Sequence, residues 1–138
     1  MSRMDPADMA RGIAQGLLSF PVTHFSDTYE FLHGPYREHI AWLLAHGPAG
    51  LFAAGGTGEF YSLTLGEFFR VISAAVEEVA GRLPVVAGCG YGTAMAREFT
   101  AAAEKAPGNS DGSLSLIAST IELMLPALNR LSWPTGDG

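Results

Sequence analysis

GLFAAGGTGEFYSL, residues 50–63, decides the fold. An apolar run, Leu51–Ala54, breaks into Gly55-Gly56-Thr57-Gly58-Glu59, and Phe60 and Tyr61 then lead into a new helical pattern. That order is strand, tight turn, helix start. The turn exposes backbone N–H groups beside one hydroxyl, a chemistry suited to holding a carboxylate or phosphate.

Outward from this stretch the pattern repeats. Upstream, Pro6 and the apolar positions Met9, Ile13 and Leu17 predict a short helix over 5–16 capped by Asp5 and stopped by Gly16. A strand is expected at 17–20, and the chain leaves it at Pro21. Residues 26–35 read as loop. Residues 36–46 read as a helix, with Tyr36, Ile40, Leu43 and Leu44 on its apolar side, ended by Gly47-Pro48. Residues 50–54 have the continuous apolar character of a doubly buried parallel strand.

Downstream, Thr64-Leu65-Gly66-Glu67 is a capping box for a helix that runs to Gly81. Leu83–Ala87 is a further buried strand, and Thr93 is placed to cap a helix over 94–105. Residues 17–105 thus read β-α-β-α-β-α with parallel strands, an α/β pattern that suits a (β/α) barrel or a doubly wound sheet. From Ala106 the texture changes. APGNSDGS is turn-rich, Leu114–Leu125 reads as an amphipathic helix ended by Pro126, and no fourth strand is evident. The strands at 17–20 and 83–87 are then both expected at sheet edges without partners.

Composition narrows the class. At 138 residues, 48% hydrophobic against 16% charged, one domain with a buried core is expected. The formal net charge is −6 and the eight basic residues are scattered, which argues against nucleic acid or an anionic membrane as partner. The lone Cys89 precludes an internal disulfide and fits a reducing cytoplasm. No stretch approaches the roughly 18 apolar residues of a membrane span, and the N-terminus, which carries acids and helical spacing, does not read as a secretory signal.

Several other groups invite a chemical reading. The turn at 55–59 could hold an anion, or could be an ordinary βα turn whose glycines supply φ > 0. It matches neither GxxxxGK[ST] nor GxGxxG, so nucleotide cofactors gain little support. Gly88-Cys89-Gly90 reads as a rim loop. His24, His33, His39 and His46 lack the spacing of a zinc helix and each reads as surface or loop. Cys89 reads as structural. Tyr61 and Tyr91 stand beyond strand ends and could line a pocket or simply pack. Lys105, the single lysine, falls at a helix end, where an amine is normally solvated and not activated for Schiff-base chemistry.

Taken together, GLLSFPVTHF (16–25), LFAAGGTGEFYSLT (51–64) and LPVVAGCGYGTAMAREFTAAAEKA (83–106) resemble the 5-dehydro-4-deoxyglucarate dehydratases, within the dihydrodipicolinate synthase / N-acetylneuraminate lyase superfamily. GGTGEF preceded by FAA is typical of the dehydratase branch, where the wider superfamily usually has Gly-Thr-Thr-Gly-Glu. The resemblance implies a (β/α)8 TIM barrel and the dehydration with decarboxylation of 5-dehydro-4-deoxyglucarate to 2,5-dioxopentanoate, in D-glucarate catabolism, through a lysine Schiff base. It implies a sugar-acid or 2-keto acid substrate and no separate cofactor or metal. Thr57, with the N–H groups of Gly56 and Gly58, matches the group that holds the substrate carboxylate. Gly56 stands where the synthases have a second threonine that serves a tyrosine proton relay, so that relay is not carried over, and Glu59 reads as structural.

Set against barrels of about 250 residues, the chain supplies about three βα units, residues 1–106, and then a divergent tail, 107–138. If Asp111-Gly112 is matched to the family's lysine segment, the lysine position falls on Ser110; IELM (121–124) also resembles the stretch downstream of that segment in the dehydratases. The tail is then either a rejoined later barrel segment or frameshifted sequence. Neither the Schiff-base lysine nor the relay tyrosine is found. The expectation is a truncated dehydratase form, deficient alone. The alternatives are an inactive small-acid-binding or subunit-interaction module, prone to homo-oligomerise, and a non-functional gene remnant.

Overall fold

The computed structural model describes residues 6–107 and 114–115. In chain order these form α1 (Pro6–Ile13), β1 (Leu18–Ser19), α2 (His33–Leu44), β2 (Gly50–Ala53), a single 3₁₀ turn (Phe60–Ser62), α3 (Leu65–Val79), β3 (Val85–Ala87), α4 (Thr93–Glu104) and β4 (Leu114–Ser115). The four strands make one parallel sheet in the order β1-β2-β3-β4, with Leu51 opposite Val85 and Val85 opposite Leu114.

Helices and strands meet on one side of that sheet. Leu51 and Ala53 of β2 and Val85 and Ala87 of β3 share one apolar cluster with Tyr36 and Ile40 of α2, Phe68, Ile72 and Val79 of α3, and Phe99 of α4. Alternation along a strand sends the intervening Phe52 to the opposite face, where its ring lies 4.9 Å from that of Phe20. Strands wound in sequence order, with α2, α3 and α4 on one face, describe an arc of a (β/α) barrel. A doubly wound sheet would reverse its strand order and carry helices on both faces. The partial barrel is therefore the architecture, and the doubly wound option falls away.

Local chemistry accounts for the element ends. At α3, Thr64 Oγ1 accepts from the N–H of Glu67 at 3.2 Å while Glu67 Oε2 accepts from the Thr64 N–H at 2.9 Å, so the predicted capping box is formed. Ala80, at φ 49°, closes the same helix in the left-handed region. Arg37 Nε on α2 donates to Glu78 Oε2 on α3 at 2.8 Å, a half-exposed pair that aligns the helices more than it stabilises them.

Four expectations are corrected. A fourth strand exists: residues 114–115 pair with β3 where a helix was expected to begin, so β3 lies inside the sheet and has a partner on each side. A two-residue strand carries no periodicity of its own and is defined only by its register with Val85 and Val86. The rest of the predicted tail helix, and the Asp5 cap, lie outside the described residues. α2 starts at His33, three residues before Tyr36, because Pro35 falls in its first turn, where a missing N–H costs nothing. Thr93 is the first residue of α4, and Gly92 occupies the cap position with no side chain to contribute.

Candidate carboxylate-binding site

Residues 54–60 cross the C-terminal end of β2, the end of a parallel sheet where α/β folds gather ligands. The turn is closed by two backbone bonds, Glu59 N–H to Gly56 O at 3.2 Å and Phe60 N–H to Gly55 O at 3.1 Å. Among the described residues, the N–H groups of Gly56, Thr57 and Gly58 donate to no intramolecular acceptor, and the Thr57 hydroxyl has no hydrogen-bond partner. Gly56 and Thr57 are exposed and Gly58 is buried. Donors left open on one short turn are suited to an anion with several acceptor oxygens.

The glycines work by space and not by φ. None of Gly55, Gly56 and Gly58 has a positive φ; the left-handed residues are Ala54 at 47° and Glu59 at 62°, which bracket the turn. Left-handed non-glycine residues cost of order 1–3 kcal/mol each and persist where surroundings over-determine them. Gly58 is needed because a Cβ there would stand 3.1 Å from Ala54 Cα and 3.2 Å from Pro21 O. At Gly56 nothing lies within 4 Å, so this position opens to solvent and leaves room for a ligand.

Two further contacts hold the turn in place. The buried Thr23 hydroxyl, on the segment after β1, donates to Gly58 O at 2.6 Å. Thr23 was missed from sequence; the signal was a hydroxyl residue inside the largely apolar run FPVTHF. From the other side, the segment after β3 abuts the turn. Gly88 N–H donates to Ala53 O at 3.2 Å, and a Cβ on Gly88 would stand only 2.1 Å from Ala54 O. A Cβ on Gly90 would stand 2.8 Å from the Phe60 ring. Gly88 and Gly90 therefore let this rim loop approach β2, a role beyond that of a generic turn.

The other singled-out residues separate. Tyr91, at φ 64°, donates its hydroxyl to Tyr61 O at 2.8 Å; both tyrosines are exposed and form the aromatic rim beside the turn, with Phe60 beneath. Glu59 is exposed and accepts a long 3.5 Å bond from Ser62 Oγ. Half-buried Cys89 sits over α4, its Sγ 3.7 Å from Ala96 O. Lys105 is exposed at the C-terminal end of α4. α4 runs antiparallel to the strands it connects, so this end lies level with the strands' N-terminal ends, opposite the turn.

The comparisons with known proteins agree with the fold. The model of the dihydrodipicolinate synthetase family matches residues 13–115. A protein of Ralstonia nicotianae named probable 5-dehydro-4-deoxyglucarate dehydratase is 57% identical over 116 residues, 84% of this chain and 37% of its own length. Among solved structures, dihydrodipicolinate synthase of Bacillus clausii superposes with a TM-score of 0.66 at 32% identity, over 71% of this chain and 33% of that one. The corresponding synthase of Acinetobacter baumannii, solved in complex with pyruvate, superposes with a TM-score of 0.63 at 28% identity, over 67% of this chain and 32% of that one. The chain thus spans about a third of the length of the curated relatives it matches.

Proposed function

The chain belongs to the dihydrodipicolinate synthetase family, and on that premise we propose that it serves a 5-dehydro-4-deoxyglucarate dehydratase reaction. Its own part is to hold the substrate carboxylate next to the keto group on Thr57 Oγ1 and the N–H groups of Gly56, Thr57 and Gly58. The observation that carries this reading is the set of open donors at the C-terminal end of β2. The name borne by relatives such as the Ralstonia nicotianae protein supplies the substrate class, a sugar-derived 2-keto acid.

Dehydration and decarboxylation through a Schiff base require an amine of lowered pKa within reach of the keto carbon. Lys105 does not meet that requirement, being solvated and at the other end of the strands. Residues 1–106 accordingly contribute the barrel arc and the cradle, and the nucleophilic amine is not among their side chains. A second reading, a small-acid-binding module without catalysis, is favoured by that separation of Lys105 from the turn. Exposed Leu18, Phe20 and Val22 further support self-association into a homo-oligomer, which sedimentation as a monomer at high concentration would rule out.

The test is calorimetric titration with pyruvate as the carboxylate probe, paired with borohydride reduction and intact mass. Thr57→Val should weaken binding by about tenfold or more, the worth of one charge-assisted hydrogen bond, and borohydride should trap no adduct. Binding that Thr57→Val leaves unchanged overturns the cradle. A reduced adduct on Lys105 overturns the division of labour.

A further inference from the structure

The β1–α2 crossover gathers a set of rings that the carboxylate site does not use. His24 succeeds Thr23 on the segment after β1, while His39 and Trp42 lie three apart on one face of α2 and His46 follows just past its C-terminal end. The rings of His24 and His39 have centroids 5.2 Å apart at 53°. The His39 ring is nearly parallel to Trp42, 13° at 6.2 Å, and Trp42 lies 4.3 Å from His46.

Among the described residues, the two buried side-chain polar atoms without a hydrogen-bond partner are both in this cluster. They are Nδ1 of His24 and the hydroxyl of Tyr36, whose ring stands edge-on to His24 at 6.2 Å. Buried polar groups are almost always paired. An unpaired imidazole nitrogen beside a second imidazole marks a place where a partner from outside the chain would be held.

We propose that His24 and His39 form a two-imidazole site for a divalent first-row ion of the zinc, copper or nickel kind. Imidazole is the side chain these ions share as a preferred ligand. With metal–nitrogen distances of about 2.0–2.1 Å, two imidazoles at a tetrahedral angle place their ring centroids about 5 Å apart, the separation found here. The neutral ring is the form that binds a metal ion. Among the described residues no group of three or more His, Cys, Asp or Glu could hold a metal. With two protein ligands among the described residues, affinity falls below that of a closed four-ligand site. An ion on His24 would also fix the segment carrying Thr23, whose hydroxyl ties down Gly58.

Trp42 supplies the readout. In a Trp133→Phe background it is the single tryptophan of the chain, and CuCl2 titrated into the full chain should quench it saturably with one ion bound. His24→Gln and His39→Gln should each weaken that binding by about tenfold or more, at least the effect seen for outer-shell partners of metal ligands. His33→Gln and His46→Gln should leave it unchanged. ZnCl2 should raise the melting temperature of the unaltered chain and not that of the His24→Gln/His39→Gln variant. Should His24→Gln fail to fold, His39→Gln, on a half-exposed helix position, decides the matter. The proposal is overturned if no saturable quenching is seen, if both glutamine variants bind as before, or if His46→Gln abolishes binding equally.

Discussion

Gly88→Ala puts the construction of the rim to its hardest test. A Cβ on Gly88 would stand 2.1 Å from Ala54 O, 3.0 Å from the Ala54 carbonyl carbon and 3.3 Å from the Phe60 ring. The first two are backbone atoms, and Ala54 is already committed to φ 47° at the root of the turn. No rotamer change relieves the clash, so the ends of β2 and β3 must part by about 0.9 Å to reach even the 3.0 Å limit of real Cβ contacts. Overpacking of this kind costs about 1–3 kcal/mol. The Gly88 N–H to Ala53 O bond, at 3.2 Å, breaks with it and adds about 1 kcal/mol. A loss of about 2–4 kcal/mol corresponds to roughly 8–16 °C in Tm for a chain of this size. The assay is a far-UV circular dichroism melt, with Gly56→Ala as control because nothing lies within 4 Å of its Cβ position. A Gly88→Ala melt within about 2 °C of the Gly56→Ala melt would refute the claim that β3 approaches β2 through Gly88.

Two more substitutions probe individual contacts. Thr23→Val leaves the Gly58 carbonyl without its 2.6 Å donor in a buried setting and should cost about 1–3 kcal/mol, with Thr23→Ser recovering most of it; equal melts for the two variants would argue against the latch. Thr64→Ala should cost about 1 kcal/mol at neutral pH. That deficit depends on pH: the Thr64 N–H, then its hydroxyl, hold the Glu67 carboxyl below the ordinary range, so the carboxylate half of the capping box contributes stability above the unfolded pKa that is lost as pH falls through the folded one, while the Glu67 N–H bond to Thr64 Oγ1 remains. The difference in Tm between Thr64→Ala and the unaltered chain should therefore shrink on acidification below about pH 4, and a constant difference down to pH 3 would count against this role.

What the sequence disclosed was what is local. The capping box is complete within four residues, and β2 and β3 are continuous apolar runs bounded by glycine or proline, so each was legible without knowledge of its neighbours. β4 was not, since Leu114 and Ser115 become a strand only by lying against Val85 and Val86. Pro35 misled for a related reason: proline breaks helix interiors and opens helices, and only the position of the first turn distinguishes the two. The candidate turn was legible as a glycine-rich turn after a strand, yet the reason for its glycines was misread. Gly58 and Gly88 are required by Pro21 O, Ala54 O and the Ala54 backbone, atoms brought close by folding, and not by their own φ. Thr23 and the His24–His39 pair escaped notice because residues on the segment after β1 meet partners 35 and 15 positions further on.

The winding of the sheet does more than name the fold. In a barrel arc every strand points its C-terminal end the same way, and every connecting helix returns to the opposite end. Donors placed just beyond a strand can converge on one ligand, whereas a side chain at a helix C-terminus is carried to the far side. The turn at 55–59, the Thr23 latch, Gly88 and the Tyr61–Tyr91 rim all belong to the first class. Lys105 belongs to the second, and moving it one turn of α4 in either direction, about 5 Å, would not change that. The binding proposed for Gly56, Thr57 and Gly58 and reaction at an amine are thus separable within this chain by topology alone. Placing an amine at the cradle would require a lysine just beyond a strand's C-terminal end, not a shift in the pKa of the existing one.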